Sequence, residues 1–415
     1  MAGIPHPYPR GGKMSEIDFI KKIVFKIAEI GHQRKIMDSP TLNDIEPFRH
    51  FFDKNGNLKY DELDTMDGAW TRREILVRYL LLSVVLDQGP DIPGVRELLK
   101  NVTNALHRKE IRIFHRPLDF FRELNISIDE ILYKHNSIKK LRAKVWAKLN
   151  NSNPSKYNLF FAQSPRGLIS INQVLDYGIH RWGVPLCVPL LLEKDLGEKE
   201  STQPFVKYIE SFESSKIMSR ELKNHERYGL GSAIGDKACH LFVKGIIHTF
   251  NLTTRKDNGW NKWSFEVPFD SNAGRVLFRL GFFTSLENLE DYENLEVIQK
   301  GKGKGKTHYI SVTNIRGKKV QKEINDEKII ENYNEVILNH LKIRKRIPNK
   351  IEIQQLPNAI LLNSRFGIGD FDDGLIYIGT KFCFNRDKPN CKNCPLKDLC
   401  LGKNKKPELI KNYRT

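Results

Sequence analysis

Gly229–Phe250 reads GLGSAIGDKACHLFVKGIIHTF, and Phe265–Val276, shortly after it, reads FEVPFDSNAGRV. The first stretch opens with Gly229, Gly231 and Gly235 and then turns into a helical pattern carrying Lys237 in its first turn. A glycine hairpin that opens a helix leaves backbone N–H groups unpaired and facing outward, an arrangement suited to a phosphate oxygen. A Lys at such a helix start serves as a nucleophilic amine when its neighbours lower its pKa. The second stretch sets one carboxylate, Asp270, after the apolar segment Val267-Pro268-Phe269. A carboxylate there can orient the amine or stabilise a developing cation, or it can simply cap the helix that follows.

The rest of the chain narrows the class. Its 415 residues suit one large or two medium domains with a real core. The formal charge of +18, with a pI near 9.5, favours a polyanionic partner, most simply nucleic acid. No apolar run approaches the ~20 residues that span a bilayer. Residues 1–14, rich in Pro and Gly and without an apolar core, read as a disordered tail rather than a signal peptide. A cytoplasmic protein is expected.

Of six cysteines, Cys187 and Cys239 stand alone; Cys383, Cys391, Cys394 and Cys400 crowd into the last 33 residues as C-x7-C-x2-C-x5-C. In an intracellular chain such clustering points to a metal or cluster site rather than disulfides. Four thiolates can hold a tetrahedral zinc or a [4Fe–4S] cluster. Zinc ribbons usually carry two C-x2-C pairs. One pair flanked by isolated cysteines fits the cluster better.

These motifs together resemble the helix-hairpin-helix DNA glycosylases, in particular the endonuclease III branch with a C-terminal [4Fe–4S] cluster. The family hairpin L-P-G-V-G-x-K-T-A aligns with Gly231-Ser232-Ala233-Ile234-Gly235-Asp236-Lys237-Ala238, and V-D-T-H-x-x-R-V with Phe269–Val276. Ser232-Ala233 replaces the family's Pro-Gly, Asn272 replaces its His, and the first cysteine loop is one residue longer than the family's C-x6-C. Lys237 and Asp270 are retained.

The resemblance implies an all-α fold of two helical domains flanking a DNA-binding cleft. A six-helix barrel would cover 71–265, with an insertion at about 150–204. A second helical domain would combine 15–70 with 270–415, holding an insertion at about 284–350 and the cluster loop 383–400. It further implies a monomeric DNA glycosylase of base excision repair with AP-lyase activity, acting on double-stranded DNA with a damaged or mismatched base. Lys237 would be the nucleophile and Asp270 the stabilising carboxylate. Gly231, Ile234, Gly235, Gln88, Arg386 and Lys388 would contact DNA, Gln88 by entering the space of the extruded base. Three other readings stay open: a cluster-bearing nucleic-acid binder with altered catalysis, an N-glycosidase acting on RNA or nucleosides, and a purely structural zinc protein.

Local patterns add detail. Thr71 caps a helix over 71–85, with Glu74 completing a capping box. Pro204–Lys223 reads as one helix and Leu356–Phe366 as another, with Gly367–Asp373 as an acidic turn. The segment Lys300–Thr307 (KGKGKGKT) lacks the first glycine of a phosphate-binding loop. It reads as a basic turn beside β-prone His308–Val312 and Lys318–Ile324, so a small β insertion is expected.

Overall fold

The computed structural model describes residues 16–35, 42–86, most of 99–116, short pieces between 119 and 168, 204–225, 236–268, 271–282, 297–300, 307–311, 350–362, 364–384, 389–404 and 412–414. These are mostly helical with a few short strands, as an all-α reading requires. In chain order they include α1 (Glu16–Lys35), β1 (Met66–Asp67), β2 (Trp70–Thr71), α2 (Arg72–Leu86), α3 (Phe205–Glu210) and α4 (Ser215–Asn224). There follow α5 (Asp236–Lys244), α6 (Ser271–Leu280), β3 (Val297–Lys300), β4 (Thr307–Ser311), α7 (Lys350–Leu361), α8 (Ile368–Lys381) and β5 (Asn412–Arg414). Among the described residues no helix is long and apolar enough to cross a membrane.

The chain divides into two compact units, Pro40–Trp260 and a second made of Met1–Ser39 with Asn261–Thr415. Residues 40–70 therefore belong with the segment after them, not with 270–415 as the resemblance suggested. Ion pairs from Arg72 to Glu62 and from Arg73 to Asp64 tie them there. So does Trp70, whose indole Nε1 donates to the His115 carbonyl at 2.8 Å.

In the Pro40–Trp260 unit, α2 is buried along nearly its whole length, which explains its continuous apolar run LVRYLLLSVV. Thr71 Oγ1 accepts from the Glu74 N–H at 3.2 Å, so the expected cap is present. The Glu74 carboxylate does not close a capping box. It accepts from Arg78 Nε at 2.7 Å and from the Phe205 and Val206 N–H groups, each at 2.7 Å, and so caps α3 from another helix. Arg78 in turn donates to the Phe114 carbonyl at 3.2 Å and lies 4.1 Å from the centroid of the Trp70 ring. Both members of this pair are 1 % exposed. Each charge is out of water, and each is satisfied.

The expected single helix over Pro204–Lys223 is two. Ser214 interrupts it with extended backbone, and its Oγ accepts from the Ile217 N–H at 3.1 Å to start α4. The helix α5 begins at Asp236 and widens into a π turn over Gly245–Thr249. Phe242, Val243 and Ile246 from this element, with Phe205, Ile209, Met218 and Leu222 from α3 and α4, are core residues. Each large side chain so buried contributes roughly 1.5–3 kcal/mol.

In the other unit α1 crosses α8 at glycines. A Cβ on Gly31 would overlap the Asp370 carbonyl oxygen, and one on Gly374 would overlap the Ile27 carbonyl oxygen. The missing side chains let α1 and α8 approach at backbone distance, where Ile20, Ile23, Val24 and Ile27 of one and Phe371, Leu375 and Ile378 of the other are buried. The expected acidic turn Gly367–Asp373 is instead the first turns of α8. Gly367 is its N-cap, and Asp370 at N3 accepts from the Gly367 N–H at 2.8 Å. A carboxylate at that position stabilises a helix start, so three acids mark a beginning rather than a break. The preceding helix, α7, starts earlier than expected and accommodates Pro357.

The small β insertion is present in another register. β3 pairs antiparallel with β4, and β5 adds in parallel. The partner of β4 thus precedes the Lys-Gly segment in the sequence; Lys318–Ile324 lies outside the described residues.

Candidate functional site

The helix α8 ends at Lys381, and the Cys383 N–H still donates to the Ile378 carbonyl at 2.8 Å. The chain then returns on itself. The Asn390 N–H donates to the Phe382 carbonyl at 2.8 Å, Cys391–Asn393 forms one 3-10 turn, and fully buried Leu396 pins the remainder. In this way Cys383, Cys391, Cys394 and Cys400 line one cavity of about 40 Å³, together with Val276, Ile378 and Arg279. A single water needs only about 10–15 Å³ on the same measure, so the space exceeds one small guest.

None of the four is in a disulfide. Burial pushes the Cys400 thiol up to about 12, and it raises Cys394 as well, with the neighbouring cysteines adding to both shifts. Thiolates here need a compensating cation or metal.

Helix α6 supplies part of that electrostatic frame. Its Arg275 is buried: Nε donates to the Cys383 carbonyl at 2.7 Å, and Nη2 donates to Asn272 Oδ1 at 2.6 Å and to the Gly379 carbonyl at 3.2 Å. One turn later Arg279 Nη1 donates to Cys383 Sγ at 3.4 Å and to the Phe384 carbonyl at 2.8 Å. The Arg279 carbonyl accepts from Cys400 Sγ at 3.4 Å. Arg279 is 8 % exposed, and its Nε has no hydrogen-bond partner among the described residues. A buried guanidinium beside four thiols fits a site whose occupant, with its ligands, is anionic. Among the described residues no three His, Cys, Asp or Glu side chains are drawn in as one metal ion requires.

Arg275 and Arg279 stand on what would otherwise be the apolar stripe of α6. Two cations spaced i, i+4 among buried Ala273, Val276, Leu277 and Leu280 are the signal that they serve a site. Sequence reasoning quoted Arg275 as a motif residue and passed over Arg279. Asn272 has a packing role as well: its Nδ2 donates to the Leu375 carbonyl at 3.2 Å, and a Cβ on Gly379 would collide with its side chain.

The other expected site residues are only partly described. Lys237 is half-buried in the first turn of α5, as its sequence position implied, and Ala238 and Cys239 beside it are core. The helix α6 starts at Ser271, directly after Asp270. Asp270, Gly231, Ile234, Gly235, Gln88, Arg386 and Lys388 lie outside the described residues. Of the other cations near the cysteine loop, Lys392 and Lys397 are exposed. Comparison with family models, curated proteins and solved structures finds no match to this chain.

Proposed function

We propose that the protein is a DNA glycosylase with AP-lyase activity, built on a helix-hairpin-helix and carrying a [4Fe–4S] cluster on Cys383, Cys391, Cys394 and Cys400. The observation that carries this reading is the convergence of those four thiols on one cavity beside the buried Arg279 guanidinium. Zinc is the poorer occupant, because one C-x2-C pair flanked by isolated cysteines departs from the two paired knuckles of a zinc ribbon. When bound, the cluster cross-links the loop and supplies fixed structure rather than a reaction step. Arg275 and Arg279 hold the loop to α6 and present N–H groups to its carbonyls and to one sulfur.

The chemistry belongs to Lys237 and Asp270. Excision requires the nucleotide to leave the base stack, at a cost of a few kcal/mol. As the glycosidic C–N bond breaks, positive charge grows on the sugar, and the Asp270 carboxylate stabilises it. Neutral Lys237 Nζ adds to the anomeric carbon, the base departs with the bond's electron pair and is protonated, and the amine loses its proton. Ring opening gives an iminium. Loss of a proton from the adjacent carbon then expels the 3′ phosphate by β-elimination. The net charge of +18 suits the partner, since phosphate contacts dominate affinity for DNA.

Borohydride trapping on duplexes that each carry one damaged base, one mismatch or an abasic site tests this. A covalent adduct that Lys237→Ala abolishes is expected, together with iron and sulfide in the purified protein. No adduct on any duplex would overturn the lyase assignment.

A further inference from the structure

The Pro40–Trp260 unit contains a second cavity, of about 80 Å³, whose polar walls are His50, Asp67, Thr103, His107, Arg112 and His115. That is room for several waters by the measure used above. The walls are preorganised. Asp67 is set by a two-residue hairpin between β1 and β2, in which Gly68 adopts φ +69. The opposite wall is fixed through its backbone, because Arg78 and Trp70 donate to the Phe114 and His115 carbonyls. Asp67 Oδ2 lies 3.1 Å from His50 Nε2 and 3.6 Å from His115 Nε2, so one carboxylate faces two imidazoles. Thr103 is 3 % exposed, and its Oγ1 has no hydrogen-bond partner among the described residues. A buried hydroxyl without a partner costs about 1–3 kcal/mol unless something entering the cavity satisfies it.

We propose that this cavity binds a phosphomonoester oxyanion, with Thr103 Oγ1, Arg112 and His107 donating to its oxygens and Asp67 accepting from its remaining P–OH. Arg112 provides donors and positive charge, and the imidazoles add ring N–H donors. The carboxylate decides which anion. It repels a fully ionised diester or sulfate and accepts a hydrogen bond from an oxyanion that still carries a proton. The same chemistry has two sources, free phosphate and the terminal phosphate of a nucleic-acid strand.

Calorimetric titration of the intact, cluster-loaded protein tests the site, using inorganic phosphate and, at matched ionic strength, sulfate. One phosphate per chain is expected, with sulfate bound at least about tenfold more weakly. Thr103→Val and, at the exposed rim, Arg112→Gln should each weaken phosphate by about tenfold or more, and Asp67→Asn should bring sulfate close to phosphate. Oligonucleotides with a 5′ phosphate or a 5′ hydroxyl separate the sources: tighter binding of the phosphorylated strand than of the hydroxyl strand, lost in Thr103→Val, assigns the strand end, and equal binding of the two strands assigns free phosphate. Equal binding of sulfate and phosphate to the wild type, or phosphate binding untouched by both Thr103→Val and Arg112→Gln, would overturn the assignment. One zinc per chain bound through His50 and Asp67 in place of phosphate would do so too.

Discussion

The cysteine cavity draws its four sulfurs from a single loop between positions 383 and 400, whereas the histidine cavity gathers its walls from positions as far apart as His50 and His115. The difference shows in what holds each together. Among the described residues the loop around the cysteines has few apolar anchors of its own, Leu396 foremost, and is tied to α6 by Arg275 and Arg279. The histidine cavity stands on a hairpin, an aromatic group in which Phe48 meets Tyr79 at 5.0 Å and Phe114 at 5.6 Å, and the buried Glu74–Arg78 pair. A short loop with four half-buried thiols depends on what it binds. A cavity assembled from a folded core exists without its ligand.

The largest effect expected from that contrast is Cys400→Ala. Losing one of the four proposed ligands should release iron and sulfide and lower the thermal midpoint by on the order of 10 °C, because binding of the proposed cluster would be part of the folding free energy. The Pro40–Trp260 unit should keep its own transition. If the variant retains full iron and an unchanged midpoint, the contrast between the two cavities fails.

Arg78→Met probes the other side. It leaves the Glu74 carboxylate buried without its cation and frees the Phe114 carbonyl, so a loss of about 3–5 kcal/mol is expected in denaturant unfolding. Iron content should not change. A smaller step of about 3 kcal/mol is expected for Gly374→Ala, which forces α1 away from α8 by placing a methyl against the Ile27 carbonyl. Here the cysteine-bearing unit should loosen while the cysteine spacing stays intact, which separates helix crossing from cluster binding as sources of its stability.

The same contrast explains what could be read in advance. C-x7-C-x2-C-x5-C is a local pattern, so one short stretch of chain announces four thiols, which the fold brings to one cavity. The Lys237 helix start is equally local, and α5 begins beside it at Asp236. Glu74 was legible as a helix-start residue, but its partners Phe205 and Val206 lie across the unit, and no spacing rule points to them. The acids at Asp370, Asp372 and Asp373 suggested a turn by composition, yet the helix they open is settled by the cap at Gly367. His50, Asp67 and His115 share no motif. They meet because a hairpin and a helix end are folded together, which sequence periodicity does not encode.

The finest test concerns His115. Burial lowers its pKa, Arg112 and Arg78 lower it further, and Asp67 works in the opposite direction without prevailing. In the unfolded chain the imidazole titrates near 6.5. A group whose folded pKa is depressed contributes stability that is present above the unfolded value and lost as pH falls toward the folded one. Wild type should therefore lose stability relative to His115→Gln as pH drops below about 6.5, by less than any substitution above. Added phosphate should oppose that loss, because an oxyanion in the cavity favours the imidazolium. Chemical denaturation of both proteins at pH 7.5 and pH 5, with and without phosphate, reads both effects. If wild type gains on the variant as pH falls without phosphate, Asp67 outweighs burial, and the two imidazoles already carry their charge on the carboxylate. The cavity would then lack the free donors that an oxyanion needs.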